Sequence, residues 1–99
     1  MTNARDLYEL SRRIKDPFSR RLIRELILET LPPWLRRIYT YAAKHSPVRV
    51  MDVSAALGLN WNAASNGLNQ LAEVGLLKRR RNRTLGRLQW TVIKENRHE

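Results

Sequence analysis

The apolar residues of this chain recur in two rhythms, and the change between them divides the sequence. From residue 7 to residue 74 they recur mostly every three or four positions, which is the spacing of amphipathic helices. Near the carboxyl end, Leu88, Trp90 and Val92 alternate with polar residues, as in a half-buried strand. The pattern therefore predicts a mainly α-helical protein with a small β-hairpin.

Helix-breaking and capping residues set the predicted boundaries. We predict helices over residues 4–15, 17–30, 34–44, 52–57 and 61–74. Asp16 and Pro17 suit the cap and the first position of the second helix. Asn60 suits the cap of the last one, and Gly58 suits a left-handed turn before it. Gly67, inside that last helix, is expected to weaken it by about 1 kcal/mol relative to Ala.

Positive charge is concentrated in the predicted hairpin, whose strands are expected over 76–81 and 87–93. The whole chain carries a net charge of +10. Six cations stand between residues 78 and 87: Lys78, Arg79, Arg80, Arg81, Arg83 and Arg87. Such a patch suits a polyanion, because binding releases counterions condensed on its phosphates. The alternative interpretation is an ordinary solvated surface. In a hairpin, Arg79 and Arg81 point to one side, and Lys78 and Arg80 to the other.

A run of short motifs leads into this hairpin. In order, the chain has Ala56-Leu57-Gly58-Leu59-Asn60, then Ser65, Leu68, Leu71, Val74-Gly75-Leu76-Leu77 and Arg79-Arg80. Over about residues 33–93 this run resembles the winged helix-turn-helix of transcription regulators of the MarR and ArsR type. The resemblance implies that the helix 61–74 enters the DNA major groove, and that the basic wing 78–87 lies on the flanking backbone or in the minor groove.

Side chains on the outer face of the helix 61–74 are the candidates for base and backbone contacts. With Leu68 and Leu71 turned inward, the outer face carries Trp61, Asn62, Ser65, Asn66 and Asn69. Asn can make a two-point contact with adenine, and Ser65 can hold a phosphate. The helix carries no Lys or Arg, which favours a sequence-tolerant binder as the alternative. The other interpretation is that the Asn residues are ordinary surface residues.

The residues before the motif form a separate predicted unit. We predict an N-terminal helical extension over residues 1–31, a winged helix-turn-helix domain over 32–93 and a polar tail over 94–99. The extension carries an apolar stripe of Leu22, Ile23, Leu26 and Ile27, which we expect to mediate homodimerisation. The alternative is that this stripe packs on its own winged domain.

Several functional classes are disfavoured by composition. The chain has no Cys, and no apolar run approaches the roughly 18 residues of a membrane span. His45 and His98 are the only histidines, and neither they nor the carboxylates form a recognisable metal or acid–base cluster. We therefore expect no enzyme activity, no metal, no cofactor, no membrane partner and a cytoplasmic location.

The sequence thus predicts a dimeric transcription regulator that binds double-stranded DNA. The alternatives are a sequence-tolerant architectural or replication-associated DNA-binding protein, or a winged protein-interaction module. RNA binding is a further possibility that charge leaves open.

Overall fold

The computed structural model describes residues 4–84 and 86–93, and in them it contains five helices and one antiparallel hairpin. The elements are α1 (Ala4–Arg13), α2 (Pro17–Thr30), α3 (Pro33–His45), α4 (Val50–Leu57), α5 (Trp61–Glu73), β1 (Leu77–Asn82) and β2 (Arg87–Val92). The coarse prediction, a mainly helical chain with a small hairpin, is confirmed. The predicted polar tail over 94–99 lies outside the described residues.

Local hydrogen bonds explain where the helices begin. The Asp16 carboxylate accepts from the Ser19 hydroxyl at 2.7 Å and from the Ser19 amide at 3.0 Å, as its predicted capping role requires. These two bonds lower the pKa of Asp16. Helix α4 begins two residues earlier than predicted, because the Arg49 amide donates to Asp52 Oδ2 at 3.0 Å and Arg49 takes the cap position.

A tight turn joins α4 to α5. Gly58 has a φ of 66°, the left-handed conformation predicted for it. The turn is closed twice, since the Leu59 amide donates to the Ser54 carbonyl at 3.1 Å and the Ser54 hydroxyl donates to the Leu59 carbonyl at 2.6 Å. These bonds set the direction in which α5 leaves α4.

Gly67 lies where α5 crosses α3. A Cβ atom at this position would overlap the Ile38 side chain and lie 3.1 Å from Trp34 Cζ3. The absence of a side chain therefore allows the two helices to approach, which the sequence interpretation of Gly67 as a weak point missed. Ile38 and Leu68, on either side of the crossing, are fully buried.

The hairpin is tied to the helices by a third piece of backbone. Strands β1 and β2 pair antiparallel, with Arg79 opposite Trp90. Val48, between α3 and α4, exchanges two backbone hydrogen bonds with Trp90, at 2.9 and 2.8 Å. Trp90 is only 2% exposed and packs in the core with Leu76 and Leu77. Leu88, predicted to face inward too, is partly exposed.

The two N-terminal helices pack on the same core as the rest of the chain. Leu7, Ile23 and Ile27 belong to one buried cluster with Leu35 and Ile38. This corrects the predicted dimerisation stripe, because Ile23 and Ile27 are buried within the chain and are not accessible to a second copy. The helix was assigned one apolar face, but its apolar residues cover two.

The second face of α2 is exposed. It carries Phe18, Leu22 and Leu26, whose exposed fractions are 66%, 50% and 47%. These three residues recur every fourth position along the helix, and we refer to them as the exposed stripe. Of the predicted stripe, only Leu22 and Leu26 remain available to a partner.

Candidate nucleic-acid interface

Helix α5 presents its predicted outer face to the surface. Its cap is formed as expected, since Asn60 Oδ1 accepts from the Ala63 amide at 2.7 Å. Ala64, Leu68 and Leu71 are fully buried on the inner side. The predicted outer residues are all accessible: Trp61, Asn62 and Asn66 are exposed, and Ser65 and Asn69 are half-buried.

The strand register sorts the hairpin cations onto two faces. Arg79 lies opposite Trp90 and Arg81 lies opposite Leu88, so these two arginines share the face that carries the apolar side chains. Lys78 and Arg80 alternate with them and belong to the other face. The predicted division of the cations between two faces is confirmed.

The arginine-bearing face of the hairpin and the outer face of α5 border one groove. This groove, which we call the arginine groove, has a volume of about 570 Å³. Its walls are formed by Arg49, Val50, Met51, Trp61, Ser65, Asn69, Arg79, Arg81, Gly86, Arg87, Leu88 and Trp90. Among these described residues, four carry a guanidinium and none a carboxylate. The arginines therefore stand above a partly apolar wall without a neutralising acid in the lining.

A direct contact links the two walls. The Arg79 guanidinium donates to Asn69 Oδ1 at 3.4 Å, which joins β1 to α5 across the groove. Arg81 donates to the Gly86 carbonyl at 3.3 Å, so it is held along the hairpin. Both bonds are long and exposed to solvent, and they orient the guanidinium groups while leaving other N–H donors available.

Arg49 is a groove residue that the sequence interpretation missed. It pairs with Asp52 at 3.3 Å, and both side chains are about one-third exposed (31% and 32%). Hydrogen bonds from the Arg49 amide and then from its side chain lower the pKa of Asp52. The available signal was an acidic residue three positions after Arg49, the spacing of a capping box. Arg is an unusual cap, so the signal was easily overlooked.

The structure brings together only part of the predicted site. Six predicted residues line the arginine groove: Trp61, Ser65, Asn69, Arg79, Arg81 and Arg87. Asn62 and Asn66 are exposed on α5 but lie outside that lining, as do Lys78 and Arg80 on the opposite face of the hairpin. Arg83 is exposed in the loop between the strands, also outside the lining.

A second basic surface lies on α3, away from the hairpin. A shallow depression of about 560 Å³ is lined by Arg36, Arg37, Lys44 and His45 together with Leu57 at the end of α4. Arg36 is already engaged, because its guanidinium donates to the carbonyls of Glu29 and Leu31 at 3.1 and 3.3 Å. This surface thus has fewer free donors than its charge suggests.

Comparison with known proteins adds no family. No protein-family model, no curated protein and no solved structure matches this chain. Within residues 4–84 and 86–93, no group of three or more His, Asp or Glu side chains is arranged to hold a metal ion. No helix in that part of the chain has both the length and the apolar character needed to cross a bilayer.

Proposed function

We propose that this protein binds double-stranded DNA through the arginine groove and regulates transcription from the cytoplasm as a homodimer. In this proposal α5 enters the major groove and the β1–β2 hairpin lies on the flanking backbone or in the minor groove. The observation that carries the proposal is that the arginine-bearing face of the hairpin borders the same groove as the outer face of α5. The proposal involves no catalysis and no cofactor.

The order of the elements supports this arrangement. The chain has α3, the bridging residue Val48, the helices α4 and α5 joined by a tight turn, and then the basic hairpin. This is the order of elements in a winged helix-turn-helix domain. In that class the second helix of the pair enters the major groove, which is wide enough for an α-helix. Here that helix is α5, whose Trp61, Asn62 and Asn66 are exposed.

The chemistry of the groove suits phosphates at its guanidinium groups and bases or sugars at its apolar wall. Guanidinium groups bind phosphate oxygens through charge-assisted hydrogen bonds, which are shorter and stronger than neutral ones. The apolar part of the lining, including Trp61 and Met51, offers surface to a sugar or to a thymine methyl group. Asn69 is shared with Arg79 and offers an amide near the same place.

A salt titration tests whether phosphates are bound. Four phosphate contacts per subunit would make eight per dimer, so the logarithm of affinity should fall with the logarithm of salt concentration with a slope of about −7. The measurement is fluorescence anisotropy of a labelled duplex over a series of salt concentrations. A slope near zero contradicts the proposal, and binding of single-stranded RNA in preference to the duplex contradicts the assignment to double-stranded DNA.

Sequence-tolerant binding is the second candidate, and one observation favours it. Helix α5 carries no cation, so it lacks the Arg and Lys side chains that most often read guanine, and Oδ1 of its Asn69 already accepts a hydrogen bond from Arg79. Competition of a selected site against random duplex separates the two candidates. A specificity ratio below about ten indicates an architectural or replication-associated protein, since regulators typically reach 10³ or more. If no duplex binds even at low salt, the winged protein-interaction module becomes the better account.

A further inference from the structure

The face of the hairpin opposite the arginine groove changes character along its length. Backbone pairing continues one residue beyond the two strands, because the Ile93 amide donates to the Leu76 carbonyl at 3.2 Å. Successive side chains of a strand point to opposite faces, so Leu76 and Ile93 share the face that carries Lys78 and Arg80. Leu76 is buried, whereas Lys78 and Arg80 are exposed. This face therefore runs from an apolar base to a basic outer part.

Helices α1 and α2 cover the apolar base of this face. Together they border a cavity of about 180 Å³, whose lining includes Tyr8, Ile27, Leu76 and Ile93. Tyr8 lies directly against Gly75, since a Cβ atom at Gly75 would overlap the Tyr8 ring. The lining of this cavity shares no residue with the lining of the arginine groove. The two sites therefore lie on different sides of the hairpin.

The lining of this cavity also carries three guanidinium groups and no carboxylate. The three residues are Arg12, Arg20 and Arg24. The Arg12 guanidinium lies 5.9 Å from the centre of the Tyr8 ring, within the range of a cation–π contact. Arg24 donates to the Tyr39 hydroxyl at 3.0 Å. Glu9 lies 3.9 Å from Arg12, but both side chains are more than half exposed, and such a pair contributes little. Positive charge therefore predominates around the cavity.

The cavity arginines and the outer cations of the hairpin form one extended surface, which we call the back surface. It consists of Arg12, Arg20, Arg24, Lys78 and Arg80. Arg80 is four residues along the chain from Leu76 in the cavity wall, which at about 3.3 Å per residue places it about 13 Å away. A small anion in the cavity cannot contact cations so far apart, whereas a polymer with regularly spaced phosphates can. The extent of the back surface therefore favours a nucleic acid over a small ion.

We propose that the back surface binds the phosphate backbone of a second DNA duplex, so that one chain holds two duplexes on opposite sides of its hairpin. This inference rests on the proposed function, which places the first duplex in the arginine groove. The first duplex does not account for the back surface, because Arg12 and Arg20 lie beside the base of the hairpin on the side away from that groove. Cations on both faces of the hairpin also reduce the repulsion between the two duplexes.

Capture of one duplex by another tests the proposal. A duplex attached to beads is mixed with the full chain and with a second, labelled duplex, and the label retained on the beads is measured. Fluorescence anisotropy of a single labelled duplex measures binding at the arginine groove separately. We expect the wild-type chain to retain the labelled duplex, and we expect retention to fall as the salt concentration rises, since phosphates are the groups bound.

Removal of cations from the back surface should abolish capture and leave the first site intact. Arg12→Ala/Arg20→Ala should lower retention by about tenfold, because two charged contacts to phosphates are lost. Affinity for a single duplex should fall by less than about threefold, through the general field alone. Arg37→Ala/Lys44→Ala is the matched control, since it removes the same charge from the depression on α3. It should lower retention by no more than about twofold. Circular dichroism confirms that each variant is folded.

Two outcomes overturn the proposal alone. Equal retention by the two double variants would mean that general charge, or a dimer that uses two arginine grooves, joins the duplexes. A wild-type chain that binds a single duplex but retains no labelled one would mean that the back surface binds no DNA. Failure of the proposed function is distinguishable, because the wild-type chain would then bind no duplex in the anisotropy measurement either, and that outcome overturns both proposals.

Discussion

The arginine groove and the exposed stripe use the same residue types in opposite ways. Residues 1–31 carry seven cations and five carboxylates, so the helices beside the exposed stripe are nearly neutral. The ten residues 78–87 carry six cations and no carboxylate. Around α2 the apolar side chains are exposed between balanced charges, whereas in the hairpin the unbalanced charges stand over buried apolar ones. Balanced charge with exposed apolar surface suits a protein partner, and unbalanced charge suits a polyanion.

The largest expected effect is on the free energy of unfolding, and it distinguishes a buried leucine of α5 from a leucine of the exposed stripe. Leu68→Ala should lower the free energy of unfolding by about 2–5 kcal/mol, because Leu68 is fully buried on the inner side of α5. Leu22→Ala, at a dilution where the chain is monomeric, should change it by no more than about 0.5 kcal/mol, because half of the side chain is exposed. Chemical denaturation measures both. Similar losses in the two variants would show that the stripe is part of the folding core.

The next effect separates the position of charge from its amount. Two double variants each remove two cations from alternate positions of β1: Arg79→Ala/Arg81→Ala and Lys78→Ala/Arg80→Ala. Only the first pair borders the groove. We expect the first variant to weaken duplex binding about 30-fold, at about 1 kcal/mol for each lost phosphate contact. The second should weaken it only a few-fold, through the general field. Equal losses, measured by anisotropy at one salt concentration, would mean that the groove is not the binding face.

A smaller effect concerns the cap that positions α5. Asn60→Ala removes the acceptor for the Ala63 amide and should lower the free energy of unfolding by about 1 kcal/mol. Asn62→Ala, two residues along on the exposed face, should leave it within about 0.5 kcal/mol. For DNA binding we expect the opposite order, with Asn62→Ala changing the specificity for the duplex sequence more than Asn60→Ala does. Thermal denaturation of both variants checks the first claim, and binding to altered duplexes checks the second.

The smallest expected effect is on the pH dependence of stability, and it involves one carboxylate in each of the two regions. Asp16 and Asp52 both have a pKa below the ordinary value of 3.8 in the folded chain. A lowered folded pKa stabilises the protein above the unfolded pKa, and this contribution is lost as the pH falls below about 4. Asp16→Asn and Asp52→Asn should each flatten the decline of stability between neutral and acidic pH. An unchanged pH profile in either variant, measured by denaturation, would mean that its carboxylate is not stabilised by folding.

Elements with strong local signals were predictable from the sequence. Asp16 followed by Pro17 set the start of α2 correctly, and Asn60 did so for α5, since these residues satisfy free amides at a helix start whatever the rest of the chain does. The face of the hairpin on which each cation lies was also predictable, because successive side chains of a strand point to opposite faces.

What depends on distant contacts was not predictable. From the sequence alone, Gly67 is a residue that weakens α5. The structure gives it a role, because Ile38 of α3 occupies the space that a side chain at position 67 would need. Ile23 and Ile27 shared an apparent stripe with Leu22 and Leu26, and periodicity alone does not say which of two adjoining faces packs inward. Arg49 lies in the groove because its neighbour Val48 pairs with Trp90 of the hairpin. No local sequence pattern predicts that pairing.

The two hydrogen bonds between Val48 and Trp90 have a mechanical consequence. They join the hairpin to the segment that starts α4, so the hairpin is fixed at a second point besides its connection to α5. These bonds oppose pivoting of the hairpin, and so they restrain the distance between its arginines and Trp61. A groove restrained in this way loses less conformational entropy when a partner binds than a hairpin that has to be ordered first.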